Sequence, residues 1–283
     1  MKRRSHPKEI VPPYRDPVFM ESSPARTVRF TTEYIDPLER LRREKVGDTI
    51  VMFGSARILS HDQATKHLHR LQEVQKQNLT PLQYKAALSD AKSALQMSRY
   101  YEEARELSRR MTSWAMSLGE HPRRFVICSG GGPGIMEAAN RGANEAGGKS
   151  IGLSIELPHE QRPNDYISPE LSFMFHYFFM RKLWFAQLAK ALIVFPGGFG
   201  TMDELWEMLT LMQTGKLQRR NIILIYGRKY WDRVLDWKHM VRTGMISRQE
   251  YGMLEFADTV DQAFDRVRNG LEKHHMEPDS LLV

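Results

Sequence analysis

Cysteine is nearly absent. Cys128 is the only one in 283 residues, so no internal disulfide forms and a reducing compartment is expected. It lies in the apolar run Phe125-Val126-Ile127-Cys128 and reads as a small core residue, not a nucleophile. No apolar run approaches the roughly 20 residues of a membrane span. Met1-Lys2-Arg3-Arg4 is followed by prolines and charges instead of a signal-peptide apolar core, so a cytoplasmic protein without a membrane partner is expected. There is no G-x-G-x-x-G, and no acidic residue ends the strand predicted over Ser150 to Leu153, which disfavours a dinucleotide. His67 and His69 are two apart and face different sides of a helix, which disfavours a metal pair. No repeat of fixed period occurs.

Apolar residues make up 41% of the chain, enough for a sizeable core, and the length suits a single α/β domain with extensions. The net charge of +7 and pI near 9.4 raise nucleic acid as a partner. Residues 1–45, however, hold eleven Lys/Arg against seven Asp/Glu, which is +4 of that +7. The remainder is close to balanced, and a nucleic-acid face is not expected. Residues 1–46 also carry six prolines and read as an extended arm closing in a short helix from Asp36 to Lys45. Such an arm is either a disordered basic tail or a strap around a neighbouring subunit.

From residue 47 to 283, apolar runs alternate with helical patterns. Strands are predicted at Thr49 to Phe53, Arg124 to Cys128, Lys149 to Ile155, about Leu171 onward, Ala191 to Phe195, Asn221 to Tyr226 and near Leu254 to Ala257. Residues 61–118 are almost free of glycine and form a helical insertion, interrupted at Pro81, that packs on the sheet or on another subunit. Further helices are predicted over Ile135 to Ala146, Leu183 to Lys190, Thr201 to Thr214, Lys229 to Val241, Ser247 to Met253 and Val260 to Lys273. His274 and His275 are then solvated, and the tail frays from Glu277. The loop after the third strand carries Pro158, Glu160, Gln161, Asn164 and Asp165. The alternation implies an α/β, Rossmann-like fold: a mostly parallel sheet with helices on both faces, plus the insertion and the arm.

Three of the strands run into small-residue turns: Gly54-Ser55-Ala56-Arg57, Ser129-Gly130-Gly131-Gly132-Pro133-Gly134, and Pro196-Gly197-Gly198-Phe199-Gly200-Thr201. In a parallel sheet these gather at one edge, where open α/β sheets bind ligands. The third turn opens a helix, and a helix start aims free N–H groups and a positive dipole end at one point, which suits a phosphate. Glu204 follows one turn on. Thr201-x-x-Glu204 is also the capping-box spacing, and on that reading the pair only satisfies the helix start. Met180-Arg181-Lys182 precedes the central strand; an Arg-Lys pair there is either solvated or has one member turned into a cleft.

Ser129-Gly-Gly-Gly-Pro-Gly-Ile-Met-Glu-Ala-Ala-Asn140, Met180-Arg181-Lys182 and Pro196-Gly-Gly-Phe-Gly-Thr-Met-Asp-Glu204 together resemble the LOG ("Lonely guy") family. Its members are cytokinin riboside 5′-monophosphate phosphoribohydrolases, long labelled lysine decarboxylases. The resemblance runs from about Gly47 to the 260s. It implies an N-glycosidase acting on a nucleoside 5′-monophosphate such as AMP or a prenylated AMP, working as a homodimer or larger assembly without metal or redox cofactor. It maps the catalytic pair onto Arg181 and Glu204, with Arg181 keeping Glu204 ionised. It maps the phosphate cradle onto Gly197, Gly198, Gly200 and Thr201, and gives Ser55, Gly131 and Gly132 a share of the pocket, with Lys182 as a further anion contact. A non-catalytic carrier of nucleotides or phospho-ligands on the same fold is the alternative. An oligomer is also suggested by Leu205, Met208, Leu209 and Met212, spaced as one helix stripe.

Overall fold

Apolar runs without intervening charge suit strands covered on both faces, and such runs form most of the seven strands that pair in the computed structural model, β7 being interrupted by Glu255. The structure describes residues 11–74, 80–119, 123–157, 162–217 and 220–276. The strands are β1 Thr49–Phe53, β2 Val126–Ser129, β3 Ser150–Ile155, β4 Ser172–Phe175, β5 Ala189–Val194, β6 Ile222–Tyr226 and β7 Leu254–Ala257. Helices α1 Pro17–Glu21 and α2 Arg26–Arg43 precede the sheet, and α3 His61–Val74, α4 Pro81–Met97 and α5 Arg99–Ser117 separate β1 from β2. Then come α6 Ile135–Glu145, α7 Phe178–Leu188, α8 Phe199–Gln213, α9 Arg228–Val234, α10 Trp237–Arg242, α11 Arg248–Tyr251 and α12 Val260–His275.

All neighbouring strands are parallel, in the order β4-β3-β2-β1-β5-β6-β7. The chain builds outward from β1 to β4, then returns to the other side of β1 and builds outward again from β5. Strand order therefore reverses between β1 and β5, and the crevice beyond their carboxyl ends is where such a sheet binds ligands.

The period-two alternation of a strand divides the core cleanly. Val51, Phe53, Cys128, Leu192, Val194 and Ile225 face one apolar cluster, which α7 and α8 cover with Trp184, Phe185, Leu205 and Met208. Ile50, Met52, Ile127, Ala191, Ile193 and Leu224 face the other, covered by α5, α6 and α12. The stripe Leu205, Met208, Leu209 and Met212 is thus packed on its own sheet and gives no argument for an oligomer. Within residues 61–118 the three helices differ. Helix α5 buries Tyr100, Tyr101, Ala104, Leu107 and Met111 and is the crossover helix proper, whereas α4 buries only Ala91. Pro81 starts α4 behind a capping box made by Thr80 and Gln83.

Several elements depart from the sequence reading. Residues 26–43 form one continuous helix, not a short one starting at Asp36, and Pro37 lies inside it. Proline lacks the N–H that would bond the carbonyl four residues back. That carbonyl, on Glu33, instead accepts a hydrogen bond from Trp184 Nε1 at 3.1 Å. The Glu33 carboxylate accepts from the backbone of His176 and Tyr177, and the Arg40 guanidinium lies over the Phe173 ring while donating to the carbonyls of Glu170 and Ser172. Tertiary contacts with β4 and α7 hold a helix that proline content argued against. Helix α7 begins at Phe178, not Leu183, and Ala189 and Lys190 belong to β5. The helix predicted over Lys229 to Val241 is two, separated where the Asp236 side chain caps α10 through His239 N.

His275, expected to be solvated, is buried. It extends the α12 stripe Ala263, Val267, Leu271, and burial pushes its imidazole pKa down to about 4. Residues 1–10 of the arm, Pro158, Glu160 and Gln161, and the tail from Glu277 lie outside the described residues. Among the described residues, no helix is long and apolar enough to cross a membrane.

The Pro37–Glu33–Trp184 arrangement yields a specific expectation. Trp184→Phe should cost at least about 1–3 kcal/mol, the range for stranding a buried acceptor. In a Pro37→Ala background the backbone N–H returns and the cost should be smaller. Denaturant titration of the four proteins in this cycle checks it, and additive losses would contradict it.

Candidate functional site

The three small-residue turns meet at one residue. Ser55 N donates to Pro196 O at 3.0 Å, joining the turns after β1 and β5. Ser55 O accepts from Ile135 N at 3.2 Å, joining the start of α6. Two glycines permit this closeness: a Cβ on Gly54 would lie 2.7 Å from the Ile135 side chain, and one on Gly134, at φ +70°, would lie 2.3 Å from Ser55 O. The middle turn is pinned from beneath by the fully buried Asn140. Its Oδ1 accepts from Ser129 Oγ and Asn164 Nδ2, and its Nδ2 donates to Ser150 Oγ and Ile151 O. Asn164 also donates to the carbonyls of Gly131 and Gly132. Ser129 and Asn140, read as parts of a motif, are the scaffold of the glycine turn.

Helix α8 starts two residues earlier than its sequence pattern implied, with Gly198 as its N-cap and no side-chain cap. Its first ladder bond in the turn is Met202 N to Gly198 O at 3.0 Å. The N–H groups of Phe199, Gly200 and Thr201 therefore precede the ladder. Glu204 lies beyond the first turn, and the capping box is not formed. Open space surrounds the Cβ positions of Gly198 and Gly200, so nothing within the protein requires glycine there. What they leave is room for a group to reach the backbone.

The Glu204 carboxylate turns to Arg181 on the first turn of α7, with Arg181 Nη2 to Glu204 Oε1 at 2.7 Å. The two side chains are 11% and 12% exposed. Phe178 and Phe185 place their rings 5.3 and 5.5 Å from the Arg181 guanidinium, and its buried Nε has no hydrogen-bond partner among the described residues. Desolvation pushes the Glu204 pKa up to about 7, against the opposing pull of Arg181. This corrects the expectation that Arg181 holds the carboxylate fully ionised: burial outweighs the single cation. Asp203 adds to the rise by like-charge repulsion, and Lys182 opposes it.

A cavity of about 640 Å³ opens above this pair. Ser55, Gly131, Gly132, Gly198, Gly200, Thr201, Arg181 and Glu204 all line it. Gly197 and Lys182 do not. Gly197 sits behind the loop, where its carbonyl accepts from Tyr230 Oη at 2.8 Å. Lys182 is held by Asp203 at 2.8 Å and Glu207 at 3.3 Å. Sequence reasoning missed Tyr230, whose role depends on the packing of α9, and the apolar wall of Met136, Ile155, Leu157 and Phe178. It also missed Phe199, 93% exposed at the rim. Among the described residues that line the cavity there is no lysine, so the lining does not fit a Schiff-base cofactor such as pyridoxal phosphate.

The family model described as "Possible lysine decarboxylase" matches residues 136–267. A cytokinin riboside 5′-monophosphate phosphoribohydrolase of Mycobacterium marinum is 26% identical over 146 residues, covering 51% of this chain and 77% of that protein. A probable cytokinin riboside 5′-monophosphate phosphoribohydrolase of Oryza sativa subsp. japonica is 29% identical over 125 residues, covering 43% of this chain and 49% of that protein. Among solved structures, a molybdenum cofactor binding protein from Rippkaea orientalis aligns at TM-score 0.42 and 16% identity, over 60% of this chain and 86% of that one. A Moco carrier protein from Chlamydomonas reinhardtii aligns at TM-score 0.43 and 20% identity, over 62% and 89%. At these TM-scores the likenesses carry no argument about function.

The raised pKa of Glu204 has a signed consequence for stability. Between the ordinary value of 4.5 and about 7 the folded state binds more protons than the unfolded one, so this group's contribution becomes less favourable as pH rises through that window. Glu204→Gln removes the titration. The melting temperature of the variant minus that of the wild type should therefore increase between about pH 5 and pH 8. Calorimetric scans across that range check it, and a flat difference would mean that burial does not dominate.

Proposed function

We propose that this chain, a relative of the LOG family at modest identity, hydrolyses the N-glycosidic bond of a nucleoside 5′-monophosphate to free base and ribose 5-phosphate. The observation that carries this reading is the buried Arg181–Glu204 pair in a cavity whose other wall is the uncapped start of α8. The 5′-phosphate would take the N–H groups of Phe199, Gly200 and Thr201, where the helix dipole favours an anion. The ribose then lies over Glu204, and the base against Met136, Ile155, Leu157 and Phe178.

Cleavage of the C1′–N bond develops positive charge on the ribose ring. A carboxylate in a dry site opposite that charge stabilises the transition state more than the ground state. With a pKa near 7, Glu204 is matched to accept a proton from the attacking water at neutral pH. The water oxygen bonds to C1′, the C1′–N electron pair leaves with the base, and the base nitrogen takes up a proton. Arg181 pairs with Glu204 through Nη2, and as a lining residue of the cavity its guanidinium would offer a further donor to a ribose or phosphate oxygen. Binding energy from the remote phosphate positions the ribose, so a nucleoside without it should be a poor substrate.

Chromatography of reactions with AMP, GMP, CMP and a prenylated AMP, with and without EDTA, tests the reading. Release of base and ribose 5-phosphate from at least one purine nucleotide, unaffected by EDTA, is the expected result. Nucleotide binding without release from any of them would favour a carrier. Glu204→Gln should lower the turnover rate at least about a hundredfold with little change in nucleotide affinity, because it removes a charge that acts in the transition state. Arg181→Ala should weaken both. A fully active Glu204→Gln protein would refute the mechanism.

A further inference from the structure

A second, smaller cavity of about 240 Å³ lies behind the loop that follows β5, between that loop and helix α4 of the insertion. Arg57, Ser55, Ser93, Met97 and Tyr230 are among its lining residues. We propose that it is a binding site for a phosphoryl group on a small carrier, either inorganic phosphate or a phosphosugar, adjoining the main cavity and sharing Ser55 and Arg57 with it.

Charge sets the class of ligand. Arg57 is the charged residue of this lining, and no carboxylate is among the described residues that line the small cavity with it; Glu204 lines the main cavity, which Arg57 also borders. Its guanidinium has no ion pair or hydrogen bond there, while its backbone N–H donates to Ser55 Oγ at 3.1 Å and so orients the turn. A planar fork of donors flanked by the hydroxyls of Ser55 and Ser93 suits a tetrahedral oxyanion. The volume is below that of typical sites for drug-sized ligands, which favours a small anion over a whole nucleotide.

The wall supplied by α4 explains why the space exists. Ser93, Ala94 and Met97 face the loop, and two of these three are small, so the helix spans the gap without filling it. A helix that buries only Ala91 elsewhere gains little from packing and still covers this opening. The cavity also shares structure with the main one. Ser55 and Arg57 line both, and Tyr230 holds the carbonyl of Gly197, one residue before the N-cap of α8. A ligand here would touch the back of the loop whose front takes the 5′-phosphate under the reading above. By linkage, each ligand then alters the affinity of the other.

The test rests on the reading above and uses full-length Glu204→Gln protein, expected to keep its nucleotide affinity with turnover slowed at least about a hundredfold. Inorganic phosphate and, separately, ribose 5-phosphate are titrated calorimetrically into protein saturated with AMP. Binding of one of them to the AMP-loaded protein is expected. Ser93→Glu, an exposed helix position, places a carboxylate opposite Arg57, and Ala94→Trp fills the space; each should weaken that binding at least about tenfold. Absence of binding to the AMP-loaded protein, or equal affinity in both variants, would overturn the proposal. If AMP itself does not bind, the nucleotide reading fails. The same titrations on unliganded protein then decide the second site alone, loss in Ser93→Glu supporting it and unchanged affinity refuting it.

Discussion

A carboxylate kept out of water against a single guanidinium is the constraint on which the carboxyl edge of this sheet depends. Burial alone would leave Glu204 neutral, and Arg181 opposes that without cancelling it. Breaking a buried pair by removing one partner leaves the other charge uncompensated, typically a loss of about 3–5 kcal/mol. The pair therefore sets the position of α7 relative to α8. The first turn of α7 must point its fourth side chain, Arg181, across the sheet, and Phe178 and Phe185 confine its guanidinium. A proton affinity near neutrality follows from this arrangement and from no single residue type.

The second constraint is the reversal of strand order between β1 and β5. It brings three turns to one place, and only small residues allow them to approach so closely. Ser55 joins the turns through its backbone, while Gly54 and Gly134 leave the necessary space. The glycines divide into two groups by cause. Gly54 and Gly134 are demanded by the protein's own packing. Gly198 and Gly200 face open space, and the protein's own packing places no atom where their side chains would be.

The elements outside the minimal sheet are attached by polar contacts as much as by apolar burial. Helix α2 tolerates Pro37 because Trp184 takes the carbonyl that proline frees. Arg29, Glu33 and Arg40 then tie the helix to β4 and to the approach of α7, the same segment that carries Arg181. The N-terminal region is thereby connected to the element that presents the cation of the site. Helix α4 is attached more loosely, and its small-residue face leaves a gap behind the loop that follows β5.

Much of this was legible in the chain itself. Uninterrupted apolar runs mark six of the seven strands, because a strand covered on both faces has no polar side to show. The glycine turns stand out because glycine is costly unless something uses it, whereas residue type alone left Arg181 open to solvation and Glu204 open to capping. The start of α2 was not legible, since its proline is compensated by a tryptophan 147 positions away, and neither was the burial of His275, whose partners Arg124 and Arg220 come from elsewhere in the chain. The same holds for Tyr230, which reaches Gly197 only after α9 has packed. By itself, then, the sequence determined the alternating α/β architecture and the three turns, because these follow from local pattern and residue chemistry, while Arg181 and Glu204 were joined as a pair only by the family resemblance. Tertiary structure decided which carbonyl each freed donor meets, that Glu204 pairs with Arg181 instead of capping its helix, and how far burial raises its pKa. Those outcomes depend on distances between segments far apart in the chain, which no local pattern encodes.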